Sequence, residues 1–122
     1  MINHRRLKSS FGYAIEGIMY TLKHDQNILV HFAFAIGVIV LALVLGLDHV
    51  EVSVLGIAIL FVIIAEMLNT AIEKTVDLIT TEHRIEAKIA KDVSSGMVLV
   101  SAIGAAMLGL FIFLPKILTF VW

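Results

Sequence analysis

Three apolar runs, roughly Ile28–Leu47, Val50–Ile72 and Val93–Trp122, set what this chain can fold into. Each can cover a hydrocarbon core of about 30 Å, which takes about 20 helical residues. The few polar interruptions, such as His31 and Ser53, do not break them. No strand-like alternation runs long enough for a barrel. With 60% hydrophobic residues in 122, the composition is too apolar for a soluble domain of this length. The expected fold class is an all-α membrane protein forming one small polytopic domain.

Charge is informative through its placement, since the net value is only −1. Eight of the nine basic residues lie before the first run (Arg5, Arg6, Lys8, Lys23) or between the second and third (Lys74, Arg84, Lys88, Lys91). The short turn Asp48-His49-Val50-Glu51 has none, and the C-terminal end has only Lys116. The positive-inside rule then puts the N-terminus and the 74–92 segment in the cytoplasm and the C-terminus outside. The chain has no cysteine, which excludes disulfides and thiol chemistry. No cleaved signal peptide is expected, because the first apolar run starts only near residue 28.

Residues 5–23 predict an amphipathic helix with a stripe of Leu7, Phe11, Ile15, Ile18 and Leu22. It can lie in the membrane interface or pack on the protein's own spans; the two are compatible. The turn at 46–51 makes the first two spans an antiparallel hairpin. Thr80-Thr81-Glu82-His83 predicts a helix break, and 84–92 is a mixed-charge link. The third span opens with Asp92-Val-Ser94-Ser95-Gly96, where small residues allow close helix approach. Pro115 is expected to kink or weaken its last turns. Tyr13, Tyr20 and Trp122 fit interfacial anchoring, and Tyr13 could also stack on a base.

The second run ends in chemistry. At about 100° per residue, Glu66, Glu73 and Asp77 fall within roughly 40° of one another, with Asn69 about 60° to one side. Counting about 1.5 Å per residue from Val52 puts Glu66 roughly 21 Å in, so about 9 Å short of the cytoplasmic boundary. Glu73 and Asp77 follow toward water. Intramembrane charges are costly and usually functional. Carboxylates near an interface suit Mg²⁺, which is commonly shared with nucleotide phosphates. A deeper carboxylate suits a general base. Lys91 and Asp92 at the start of the third span, and Asp25 before the first, can close the same site. Lys74, Glu82, Glu86 and Lys88 read as solvated surface charges. His31 reads as a satisfied buried or interfacial histidine. No Gly-rich phosphate loop and no zinc-type cluster occurs. A proton- or cation-conducting oligomer is the rival class. Its relay would have to continue outward through residues 53–65 and 97–114, which offer only Ser53 and Ser101. A non-catalytic accessory subunit leaves the aligned carboxylates unexplained.

The block Glu66-Met-Leu-Asn69-Thr70-Ala71-Ile72-Glu73-Lys-Thr-Val-Asp77 resembles the signature of the prokaryotic diacylglycerol kinase family of small integral membrane kinases. Ala90-Lys91-Asp92 before a small-residue helix is similar to its second block, and the likeness runs from Phe11-Gly12-Tyr13 through the third span. The resemblance implies a homotrimer of three-span subunits in the bacterial cytoplasmic membrane, each with an N-terminal surface helix. It implies ATP and Mg²⁺ as cosubstrate and cofactor and a lipid alcohol as acceptor, with no nucleic-acid partner. Glu66 matches the catalytic base, Glu73 and Asp25 the metal-binding acids, and Tyr13, Asp77, Lys91 and Asp92 the nucleotide positions. Asn69 and Thr70 match positions that support the substrate and the site. Asp25 stands where the family usually has glutamate. Asn27-Ile-Leu-Val-His31 and Ala87-Lys-Ile-Ala-Lys91-Asp92 resemble the undecaprenol kinase branch more than the diacylglycerol branch, while Arg84 stands where that branch often has proline.

The orientation is testable on cysteine substitutions with an impermeant thiol reagent in sealed cells. Residue 83 is expected to label only from the cytoplasmic side and residue 49 only from outside. Labelling of residue 83 from outside would put the carboxylate stripe on the wrong face for ATP.

Overall fold

A computed structural model describes residues 3–121 and consists of four helices: α1 His4–His24, α2 Gln26–Val44, α3 His49–Ile79 and α4 Ile85–Val121. Trp122, assigned to interfacial anchoring by its type, lies outside the described residues. Among the described residues α2, α3 and α4 are each long and apolar enough to cross a membrane. The protein is a membrane protein. Most large apolar side chains of these helices point outward, Phe34, Leu43, Phe61, Val100 and Phe111 among them. In water such a surface would aggregate; in lipid it is the solvated face.

Local chemistry explains the boundaries. Asn3 caps α1 by accepting hydrogen bonds from the Arg5 and Arg6 amides. The apolar residues Leu7, Phe11, Ile15 and Ile18 of α1 are exposed. Asp25 is the single extended residue between α1 and α2. Its N–H donates to the Thr21 carbonyl, closing α1, and its Oδ1 accepts from the Asn27 N–H at 2.9 Å, opening α2. The α2–α3 turn relies on Gly46 at φ 62°. There the Leu47 N–H reaches the Ala42 carbonyl at 3.1 Å and the Gly46 N–H the Leu43 carbonyl at 3.3 Å. That is a helix end built around a left-handed residue, which glycine adopts without strain. Asp48 then starts α3 by accepting from the Val50 and Glu51 N–H groups, while Glu51 Oε2 accepts from the Asp48 N–H at 2.9 Å. The Glu51 N–H leads the interactions that hold the Asp48 carboxyl below its ordinary value.

The 80–84 break falls where Thr80-Thr81-Glu82-His83 predicts it. Beyond it α4 starts earlier than the apolar run, because residues 85–92 are good helix formers without glycine or proline. Lys88 and Asp92 pair one turn apart on this lead-in. Pro115, expected to weaken the last turns, sits inside a helix that continues to Val121. Proline has no N–H to give to the Phe111 carbonyl one turn back, so the helix runs through this point with one bond fewer.

Packing is concentrated between α3 and α4, with α2 against α3 and α1 against α2 and α3. At the α2–α3 turn end, Ala42, Leu55 and Phe113 form a buried cluster with Val38, Leu45, Leu47 and Ile112 around it. Lys116 Nζ lies 3.0 Å from Glu51 Oε2 and ties the end of α4 to the start of α3. Along α3, Leu55, Ala58, Val62, Ala65, Glu66 and Asn69 are all buried. One buried stripe therefore runs from the apolar cluster to the polar site.

Leu55→Ala removes the centre of that cluster. It is expected to destabilise the fold by about 2–4 kcal/mol through lost packing and the cavity left behind. Denaturant titration in micelles, followed by circular dichroism, measures it; an unchanged midpoint would show that the cluster does not hold the α2–α3 hairpin to α4.

Candidate active site

α3 carries Glu66, Asn69, Thr70, Glu73 and Asp77 down one side toward the 80–84 break, and each neighbouring element brings a partner. From the α1–α2 junction comes Asp25, whose Oδ2 lies 3.1 Å from the Thr70 hydroxyl. That hydroxyl also lies 3.1 Å from the Glu66 carbonyl. It has one proton, so it donates to one of these acceptors at a time. From α4 comes Ser94, whose hydroxyl donates to Asn69 Oδ1 at 2.6 Å. With its oxygen occupied, Asn69 directs Nδ2 to Glu73 Oε1 at 3.1 Å. Ser94 is 1% exposed and Asn69 6%, so this is a buried link between helices that also orients an acid.

Further along, Lys91 Nζ lies 2.6 Å from Asp77 Oδ1. Both residues lie past the apolar runs and are partly exposed. The Lys91 ammonium holds the Asp77 carboxyl below its ordinary range, and Asp77 in turn raises Lys91. Asp92 is paired with Lys88 one turn back, and both side chains are exposed, so Lys88 is a solvated surface charge with a partner.

Glu66 is the most enclosed of these groups, at 0% exposure. Neither of its carboxylate oxygens accepts a well-formed hydrogen bond from the described residues. His31 Nε2 on α2 lies 3.0 Å from Glu66 Oε1, within ion-pair distance.

Three cavities surround this row. A polar cleft of about 260 Å³ is lined by Asn27, His31, Glu66, Asn69 and Ser95. An apolar cavity of about 300 Å³ runs between α2, α3 and α4 from His31 past Ala58 and Val62 to Phe113. Toward the 80–84 turn a third cleft, about 600 Å³, is lined by Asp77, His83, Arg84, Lys88, Lys91 and Asp92. His31 belongs to both the polar cleft and the apolar cavity.

Most of the residues singled out by type and spacing therefore meet: Asp25, Glu66, Asn69, Thr70 and Glu73 in one group, Asp77, Lys91 and Asp92 around the charged cleft. Tyr13 does not join them within this chain. It is 72% exposed on α1, two turns before Tyr20. Tyr20 itself stacks on His24 with ring centroids 4.2 Å apart, and Lys74 Nζ lies 5.9 Å from its ring centre. Two residues of the site were not assigned to it by sequence. His31 was signalled only as the lone polar side chain beyond the first turn of an otherwise apolar helix, and Ser94 only as a small residue at a helix start.

No three His, Asp or Glu side chains among the described residues form a ready metal cage. Mg²⁺ does not require one. It commonly keeps several waters and is held by one or two carboxylates together with phosphate oxygens. Glu73 and Asp25 are carboxylates of the kind such an ion takes, held by Asn69 and Thr70 on α3.

A buried acid in a polar cleft that meets an apolar cavity at His31, with a charged cleft beyond it, equips a membrane protein to work on the polar end of a lipid. The family described as prokaryotic diacylglycerol kinase matches residues 12–113. The chain is 40% identical over 112 residues to an undecaprenol kinase of Bacillus subtilis (strain 168), covering 92% of this chain and 91% of that one. It is also 40% identical over 111 residues to a diacylglycerol kinase of Synechocystis sp., covering 90% of this chain and 63% of that longer protein. The chain belongs to the prokaryotic diacylglycerol kinase family, and it is a lipid kinase.

Proposed function

We propose that the chain transfers the γ-phosphoryl group of ATP to the hydroxyl of undecaprenol at the cytoplasmic face of the bacterial inner membrane. The observation that carries this reading is the burial of Glu66 where the polar cleft and the apolar cavity meet at His31. A lipid alcohol whose tail follows the apolar cavity toward Phe113 presents its hydroxyl to Glu66. The likeness to an undecaprenol kinase over nearly the whole of both chains supports the choice of lipid. Diacylglycerol is the second reading, since a relative of equal identity is a diacylglycerol kinase. The rival of a conducting oligomer finds no support in the apolar lining of the cavity beyond His31.

In the reaction, Glu66 accepts the hydroxyl proton as the lipid oxygen bonds to the γ-phosphorus. The bond from that phosphorus to the β–γ bridging oxygen breaks, and ADP leaves with its electron pair. Phosphoryl transfer needs little covalent help, so the remaining residues act by position and charge. Glu73 and Asp25 would hold Mg²⁺, which would supply neutralisation of the phosphate charge. Asn69 and Thr70 fix those two acids and the approach of the substrate. Asp77, Lys91 and Asp92 line the cleft where the nucleotide's polyphosphate and ribose are received, with Lys91 as a point charge for phosphate. Tyr13 on α1 packs near the nucleotide.

The whole chain then acts as a single kinase domain. Residues 5–23 lie as an amphipathic surface helix, and residues 28–47, 50–72 and 93–115 cross the membrane. The second crossing helix continues into the cytoplasm to about residue 79, and the N-terminus is cytoplasmic. Three copies assemble as a homotrimer.

Glu66→Gln keeps the shape of the side chain and removes its capacity to take a proton. It is expected to lower kcat by about 10²–10⁴-fold with the fold intact. A rate near wild type would remove Glu66 as the base.

Glu73→Ala is expected to raise the Mg²⁺ and ATP requirement while leaving the lipid KM within about twofold, because it acts on ground-state binding of the metal–nucleotide complex. Separate titrations of Mg²⁺, ATP and lipid measure this. An altered lipid KM with an unchanged Mg²⁺ requirement would reverse the roles of Glu66 and Glu73.

A further inference from the structure

His31 is the one polar side chain in α2 beyond its first turn. Its ring reaches across to α3 and stops with Nε2 3.0 Å from Glu66 Oε1. The two side chains differ sharply in exposure, 24% for His31 and 1% for Glu66. The imidazole is thus the open side of an otherwise closed carboxylate, and it lines both the polar cleft and the apolar cavity.

A buried glutamate needs such a partner for a geometric reason. The last torsion of its side chain is broad, so a carboxylate with no hydrogen bond turns freely between its two oxygens. As the side chains stand, neither oxygen of Glu66 accepts a well-formed hydrogen bond from the described residues, and His31 Nε2 is the group within ion-pair distance of one of them. The nearest acids, Asp25 and Glu73, are occupied by Thr70 and Asn69. They also repel a carboxylate rather than hold one. Only the imidazole can fix which oxygen faces the substrate.

We propose that His31 is the positioning residue of the reaction: through Nε2 it holds Glu66 Oε1 and so presents Oε2 to the lipid hydroxyl at the junction of the two cavities. This rests on Glu66 being the base. It has Nε2–H donate to Oε1 and assigns His31 no contact with ATP and no part in the proton transfer. Because His31 acts from α2 while Glu66 stands on α3, it also couples the α2–α3 packing to the aim of the base.

Two amides of different reach test it. In His31→Gln the side-chain nitrogen extends to about the place of Nε2; in His31→Asn it stops about one bond short, near Nδ1. Each is purified in mixed micelles, its melting is checked against wild type, and kcat is measured with ATP KM and lipid KM. His31→Gln is expected to stay within about fivefold of wild-type kcat. His31→Asn is expected to lose about 10²-fold, the scale of an ångström of misplacement, with ATP KM unchanged. The double variant Glu66→Gln/His31→Asn is expected to be no slower than Glu66→Gln alone, since residues that act as a unit are not additive. Equal rates for the two amides would overturn the proposal, and so would a double variant slowed by the full His31→Asn factor. Glu66→Gln separates the two claims. If it is inactive while His31→Asn is fully active, only the role of His31 falls. If it is itself active, the base assignment falls and the His31 role with it.

Discussion

A carboxylate placed inside the hydrocarbon layer is the constraint on which this structure turns. Isolated in lipid, Glu66 would cost several kcal/mol, and protein that closes around it is the only shelter available. α2, α3 and α4 provide that shelter, with Glu66 on the face of α3 that also buries Leu55, Ala58, Val62, Ala65 and Asn69. The same closure that hides the acid from lipid leaves it lining the polar cleft beside His31.

The α3–α4 pair acts as a ruler along the membrane normal. Its two ends are tied by ion pairs, Glu51 with Lys116 at the turn end and Asp77 with Lys91 at the other. Between them the Ser94–Asn69 hydrogen bond fixes the sliding position of one helix on the other. A slip of one residue would move α4 by about 1.5 Å and break that bond. The row of polar residues on α3 is therefore held by helix packing rather than by loops, which suits chemistry that relies on position. Asp25 adds a second level. As an aspartate it is short enough to cap α2 with Oδ1 while Oδ2 meets Thr70 on α3. A residue proposed for the metal site thus also joins α1 to α2 and ties that junction to α3.

How far the sequence could be read depended on what is local. The spans follow from run length, and the row Glu66, Glu73, Asp77 follows from 100° periodicity, because both are properties of one helix. The break at 80–84 was likewise visible in Thr80-Thr81-Glu82-His83. The kinase reading required more: it came from the resemblance of the Glu66–Asp77 block, since a row of carboxylates alone does not name a reaction. Contacts between helices were not legible. His31 and Glu66 are 35 positions apart in number, and only the α2–α3 packing brings their side chains to 3.0 Å. The Ser94 hydrogen bond depends on rotamer and register in the same way. The early start of α4 was missed because mixed charge reads as a link, whereas its residues are helix formers that pair one turn apart.

The central claim is that enclosure of Glu66 beside an apolar cavity makes this chain a kinase of a single-tailed lipid alcohol. The most direct measurement is transfer of labelled γ-phosphate from ATP–Mg²⁺ by the purified protein in mixed micelles, with undecaprenol and diacylglycerol offered together at equal mole fraction. The account predicts that label enters undecaprenyl phosphate in preference to phosphatidic acid. Label found chiefly in phosphatidic acid would contradict the choice of lipid, and label in neither would contradict the account of the site itself.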